Sequence, residues 1–433
     1  MLLILDNLHM QSTPYSIKPL LIASLLLFFT SCDNEALSVW NSEEPAPASA
    51  PVLNSVTPEG GYLAGVDAIT ITGSGFSNTA AENSVYFSNG EDNGVKGLVL
   101  SSTGTSLTVR PPQIVGDNIE IKATRSGAEK FSNSLTYKLS SPILNAYSAF
   151  NDKADSPLSI ALDNNGDLFV ALTSGGNAAG VIKAEISAEG TISTYVLPNN
   201  RFRFDTIEFT PDNRLYLCVG NRAVFSAAEG TKEAAHFIMP NPFNFLGLDM
   251  DDKGYMWLVG NNTHIVRHIP QETRVNVTNL NSLPDNTKVY PLVANLTGVF
   301  FYNNALLLVG SDDAGPKIWK AVLDTNSDIT EVSVFSDLAS AITIGSGDVF
   351  TDIVVAEDGM VYVSTNKKEG IFEISADGKT VKPLYEGVLY PSVNSLDWTD
   401  SEYLIAATTA SNREGSKNSV IKINMQKKGA PDF

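Results

Sequence analysis

Few groups in this chain of 433 residues could carry covalent or metal chemistry: it has four histidines and two cysteines. His9 falls in an N-terminal segment read below as a signal, which leaves His236, His264 and His268. His264 and His268 lie on one face of a strand-like segment. Four residues of strand rise still put them about 13 Å apart, too far for one metal ion. Packing or surface roles suit them better. Asp163-Asn164-Asn165-Gly166-Asp167 offers oxygen ligands at its first, third and fifth positions, as a calcium loop does. The twelfth position is Ser174, not the glutamate such a loop requires, so a plain turn is expected. Cys218 sits in the apolar run 215–219, where a buried, inert thiol fits better than a nucleophile. Two cysteines build neither a disulfide framework nor a Cys-rich zinc site. We assign no catalytic residue, no metal and no cofactor from these groups.

Charge narrows the partners. With 29 Lys+Arg against 48 Asp+Glu the net charge is -19. Phosphate binding needs clustered cations, so nucleic acid is not an expected partner. Hydrophobic residues make up 43% and charged residues 18%, a composition for folded cores. The length leaves room for two to three domains at about 150 residues each.

The N-terminus reads as an address. Residues 20–29 are an apolar run preceded by Lys18. A membrane-spanning helix needs about twenty apolar residues, so this run is a secretory h-region. Either Met1 or Met10 could be the start. The run ends in Phe28-Phe29-Thr30-Ser31-Cys32, and small residues before a cysteine resemble a bacterial lipobox. That resemblance implies that residues 1–31 are a lipoprotein signal and that Cys32 is the lipid anchor. Phe29 is bulkier than the pattern, and an ordinary secretory signal is the alternative. Asp33, Asn34 and Glu35 resemble the surface-export signal of lipoproteins in some glycan-degrading Gram-negative bacteria. The implied location is the outer membrane, exposed at the surface. Residues 32–50 read as a tether rich in Ser, Glu, Ala and Pro.

From Pro51, short β-branched runs alternate with Gly, Asn and Ser turns at roughly ten-residue spacing, as in a β-sandwich. Strands are expected at 69–72, 84–87, 106–110, 118–124 and 134–139. The Thr57-Pro58-Glu59-Gly60 opening, the Thr72-Gly73-Ser74-Gly75-Phe76 turn and Val109-Arg110-Pro111-Pro112 occur in the order of an IPT/TIG domain. Residues 51–139 therefore resemble that immunoglobulin-like family, whose members act as spacers or interaction modules.

Beyond it one pattern recurs six times: a strand, a turn rich in Asp, Asn or Gly, then a second apolar strand. The copies begin at Leu158, Asp205, Leu246, Thr297, Thr351 and Asn394. Between Gly166, Asn213, Gly254, Asn304, Gly359 and Ser401 the spacings are 47, 41, 50, 55 and 42 residues. A period of about 40–50 residues with four short strands is a propeller blade. Outer strands are expected at 194–197, 236–239, 275–278, 332–335 and 382–385. The sixth repeat lacks one, and residues 143–147 are a spare apolar segment that could supply it and close the ring. The expected fold is all-β: an immunoglobulin-like (IPT/TIG) sandwich followed by a six-bladed propeller over 142–433. The repeats resemble NHL and gluconolactonase-like propellers.

The latter resemblance implies one channel metal held by Glu, Asn and Asp, two of them at the first position of a repeat. Here that position holds Leu158, Asp205, Leu246, Thr297, Thr351 and Asn394, two oxygen ligands and no glutamate; Asp352 and Glu208 lie off the slot. A hard cation wants more oxygens than this. Asp205, Asn394 and Asp352 are thus expected to line a hydrated channel. The loops entering the inner strands carry Arg201, Phe202, Arg203, Phe243, Asn244, Tyr290 and Tyr390. Aromatic faces ringed by polar groups suit sugars, and packing between blades is the competing role for these rings. The expectation is a non-catalytic envelope lipoprotein that binds a polysaccharide or oligosaccharide. A protein scaffold or adhesion module is the alternative, and a lactonase-like or lyase-like enzyme stands behind both.

Overall fold

The structure, a computed structural model, describes residues 47–90, 94–144, 147–150, 153–185, 191–199, 203–210, 212–261, 264–271 and 273–431. Cys32, the expected signal and the expected tether up to residue 46 lie outside these, as do Arg201 and Phe202. From Ala48 onward the chain forms one compact unit, with Ala48 bridging to Ala128.

Alternation builds the sandwich. In Ile69–Ser74, Ile69 and Ile71 are wholly buried while Thr70 and Thr72 face outward. The first sheet runs Val52–Thr57, Ile69–Ser74, Ser106–Arg110, Leu98–Thr103. The second runs Tyr62–Leu63, Leu135–Ser140, Gly116–Arg125, Asn83–Ser88, Val95–Lys96. Phe87, Leu107, Val109, Ile119 and Ile121 fill the space between them. Gly73 has a steric cause: a Cβ there would stand 2.1 Å from the Val52 carbonyl oxygen of the paired strand.

Six further sheets follow, numbered here as blades one to six. Their inner strands are Ser156–Leu162, Thr206–Phe209, Gly247–Met250, Asn295–Tyr302, Phe350–Val355 and Val393–Trp398. Each inner strand touches the next, and the sixth touches the first, so the ring closes. The apolar clusters lie between blades. Phe169 and Val181 of blade one pack on Phe204, Ile207 and Phe209 of blade two, and the arrangement recurs around the ring.

The marker of the repeat is the turn after each inner strand. Gly166, Asn213, Gly254, Asn304 and Gly359 all have positive φ, from 55° to 81°. Gly and Asn tolerate that backbone best. The Asp163 turn is of this kind. Asp163 Oδ1 accepts from the Asn165 and Asp167 N–H groups, both at 2.9 Å. Asp251 does the same for Lys253 and Tyr255. The carboxylate that resembled a calcium ligand closes its own turn.

Ile143–Leu144 pairs antiparallel with Ser419–Asn424 as the outer strand of blade six, and Asn424 N donates to Pro142 O at 2.9 Å. The strand that leaves the sandwich therefore completes the propeller. The C-terminal tail then pairs Gly429 with Ala356 of blade five.

One expectation needs correction. Val275–Asn276, read as the outer strand of blade three, pairs parallel with Ala234–Ile238 and adds a fifth strand to blade two. The outer strand of blade three is Thr287–Pro291, paired along all of His264–His268. Val275 and Val277 show the alternation of an outer strand because they pack into the core between blades two and three.

Candidate functional site

Polar side chains on the inner strands stitch each blade to the next. At the first position of the repeat, Thr297 Oγ1 donates to Phe350 O (2.7 Å), Thr351 Oγ1 to Val393 O (3.0 Å) and Asn394 Nδ2 to Pro157 O (3.3 Å). One residue on, the direction reverses. Ser159 Oγ accepts from Ile207 N (3.0 Å), Ser395 Oγ from Ile160 N (3.2 Å) and Asp352 Oδ2 from Leu396 N (2.9 Å). Blades three and four have Gly247 and Gly298 at this position. A Cβ on Gly247 would crowd Thr297 O at 3.0 Å, so close approach replaces the hydrogen bond. Two residues further, Asp249 accepts from Phe301 N and Asp397 from Leu162 N. The position that resembled a metal slot holds the ring together.

The channel opens into a cavity of about 260 Å³ at the end carrying the turns after the inner strands. Among the described residues its wall includes six carboxylates, Asp163, Glu208, Asp249, Asp352, Asp397 and Asp400, and no Lys, Arg or His. Phe300, half-buried, is its aromatic wall; Phe209 and Trp398 also border it, but their rings pack into the cores between blades. Asp352 lies deep inside the ring. Burial raises its pKa to about 6, against the pull of the Leu396 and Ile353 N–H groups and the Ser395 hydroxyl. Among the described residues no three His, Cys, Asp or Glu side chains stand close enough to hold a metal ion.

The residues expected to bind a ligand do not gather on one surface. Phe243 is buried between blades two and three, against Phe245 and the His264 ring. Asn244 is half-buried beside it. Tyr290 is not in an entering loop: it lies on the outer strand of blade three and donates to Asp328 Oδ1 at 2.6 Å. Arg267 and Lys288 pair with the same carboxylate, which holds Asp328 below the usual range. Tyr390 faces a crevice against Ala64, Gln113 and Val115 of the sandwich, with Lys417 Nζ 4.2 Å from its ring centre. Arg203 Nε is 2.6 Å from Asp205 Oδ1, and Asp205, only 9% exposed, has its pKa raised by burial. Three of the candidate rings thus serve packing or domain contacts. The histidines also pack: His236 and His268 are buried in blades two and three.

Sequence reasoning expected Asp352 to line the channel, and it does border this cavity, but it sought the ligand-binding rings at the opposite end and missed Asp249, Asp397 and Phe300. A signal existed. The fourth position of the repeat is acidic in three copies, Glu208, Asp249 and Asp397.

Residues 51–139 match the IPT/TIG domain family. No curated protein matches the chain. Among solved structures, a Bacteroides thetaiotaomicron protein of unknown function is similar at 15% identity, over 87% of this chain and 98% of that one, with a TM-score of 0.46. Regucalcin, a calcium-binding protein from Agrobacterium tumefaciens, is similar at 10% identity over 66% and 95%, TM-score 0.46. YCF48 from Cyanidioschyzon merolae is similar at 9% identity over 88% and 97%, TM-score 0.41. At these identities the likeness is one of fold alone.

Proposed function

We propose that this chain is a non-catalytic binding protein of the cell envelope and that its channel cavity receives a neutral, hydroxyl-rich ligand, the end of an oligosaccharide. One observation carries this reading: six carboxylates and the Phe300 ring line the cavity, with no cation among its described lining residues. Carboxylates accept from sugar hydroxyls, and ring faces stack on sugar C–H groups. An anionic ligand would meet only repulsion. At about 260 Å³ the cavity falls below the usual range for drug-sized ligands, ~300–1,000 Å³. It suits one terminal sugar ring rather than a length of polymer.

The test is calorimetric titration after a glycan-array screen. Glu208→Gln should weaken the best neutral glycan about tenfold, the ~1.4 kcal/mol expected when one charged acceptor is lost. Phe300→Leu, which keeps bulk and loses the ring face, should weaken it by a similar factor. No retention of any neutral glycan by wild type would sink the reading, and unaltered affinity in both variants would remove the cavity from it.

The anchor is a separate part of the proposal and rests on the apolar run before Cys32. Cys32→Ala should abolish incorporation of labelled palmitate and move the protein from the membrane to the soluble fraction. Undiminished labelling would show that Cys32 is not the lipidated residue.

A further inference from the structure

A second cavity, about 420 Å³, lies between the sandwich and the outer rim of blades five and six. The sandwich contributes residues 65–67 and Arg110, and the propeller contributes Tyr362, Glu373, residues 382–386 and residues 425–427. The walls are held firmly. Gln113 Nε2 donates to Gly387 O at 2.8 Å across the domain boundary, and Tyr385 Oη donates to Asn424 O at 2.6 Å.

Among the described residues two polar atoms in this lining make no hydrogen bond of normal geometry: Arg110 Nε, and the hydroxyl of Tyr362, a residue 0% exposed whose hydroxyl only approaches Glu373. Buried polar groups are almost always paired in folded proteins, and exceptions point to something that completes them. Charge bookkeeping says what. Three acids and three bases line the cavity. Lys382 pairs with Glu373 at 3.1 Å and Lys427 with Asp358 at 2.6 Å. Among the described residues Arg110 has no carboxylate, while Asp67 accepts only from Tyr62 and Glu386 has no cation. A simple anion would satisfy Arg110 but leave both carboxylates opposed to it. A simple cation would do the reverse.

We propose that this interdomain cleft binds a small zwitterion, a free α-amino acid or dipeptide, whose carboxylate meets the Arg110 fork and the Tyr362 hydroxyl and whose ammonium meets Asp67 or Glu386. Guanidinium matches carboxylate geometry with two parallel N–H donors, which a lysine cannot copy. The size admits one or two residues.

The experiment is a melting-temperature screen of the full chain with single amino acids, dipeptides, amino-acid amides and N-acetyl amino acids at millimolar concentration. Zwitterions should raise the melting temperature; the amides and N-acetyl forms, each lacking one charge, should not. Arg110→Gln and Arg110→Lys should each weaken the best zwitterion by roughly tenfold or more, and Tyr362→Phe by a smaller factor. All three should leave glycan binding at the channel unchanged, which separates this site from the one proposed above. The melting temperature of each variant without ligand checks folding. The inference fails if no zwitterion stabilises wild type, if the amides stabilise it equally, or if Arg110→Gln binds as wild type does.

Discussion

Ile143→Asp is expected to open the propeller, lowering its stability by about 2–4 kcal/mol. Ile143 lies opposite Ile423 in the closing pair and packs on the core shared by blades five and six. A carboxylate there has no cation to meet among those apolar neighbours. The damage spreads beyond one contact, because losing the outer strand of blade six leaves Ser419–Asn424 as an unpaired edge. The same two residues join the domains, so the sandwich should also become more open to proteolysis at 140–147. Leu144→Asp is the internal control. Leu144 is 39% exposed and points the other way on the same strand, so its substitution should cost under about 1 kcal/mol. Urea denaturation of both variants gives the comparison. Equal losses would mean that the buried face of this strand does not hold the ring.

That closing strand was legible for a simple reason: one repeat lacked a strand, and one apolar segment had no repeat. The repeat itself was legible because its turn needs a left-handed residue, and Gly166, Asn213, Gly254, Asn304 and Gly359 record that need in the sequence. Outer strands were less so. Val275 and Val277 alternate as an outer strand would, yet burial between blades produces the same pattern as pairing on a rim. The site was least legible. Phe243 and Tyr290 are spaced like a binding platform, but whether a ring faces solvent or the next blade depends on how the blades close around the channel. The acids at Glu208, Asp249 and Asp397 were visible all along. Only the ring shows that they converge on one cavity, because their neighbours come from blades far apart in sequence.

The second large effect concerns pH. His268 is wholly buried, stacked on Phe237 with ring centres 4.0 Å apart. Its Nδ1 lies 3.0 Å from Thr287 Oγ1, and among the described residues its Nε2 has no partner. Burial, helped by the nearby His236, lowers its pKa from 6.5 to about 3. The folded state therefore holds this ring neutral, while the unfolded chain takes up a proton near pH 6.5. Between pH 6.5 and about 3 the unfolded state binds more protons at this residue, so the contribution of His268 to stability falls as pH falls through that window and stays level above it. At ~1.4 kcal/mol per pH unit, the loss between pH 7 and pH 5 comes to about 2 kcal/mol from this residue. His236 is buried too, with its pKa lowered by burial and by Arg214, and it adds in the same direction. Asp352, with its pKa raised to about 6, works in the opposite sense over this interval, but it is common to wild type and to the His268 variant and cancels in their comparison. Asp312, Asp328 and Asp348 have pKa values below the usual range and act only at lower pH. His268→Gln keeps a polar group for Thr287 and cannot titrate. Urea unfolding at pH 7 and pH 5 should show wild type losing about 2 kcal/mol more than His268→Gln. Parallel losses in the two proteins would mean that His268 is not what makes the fold acid-sensitive.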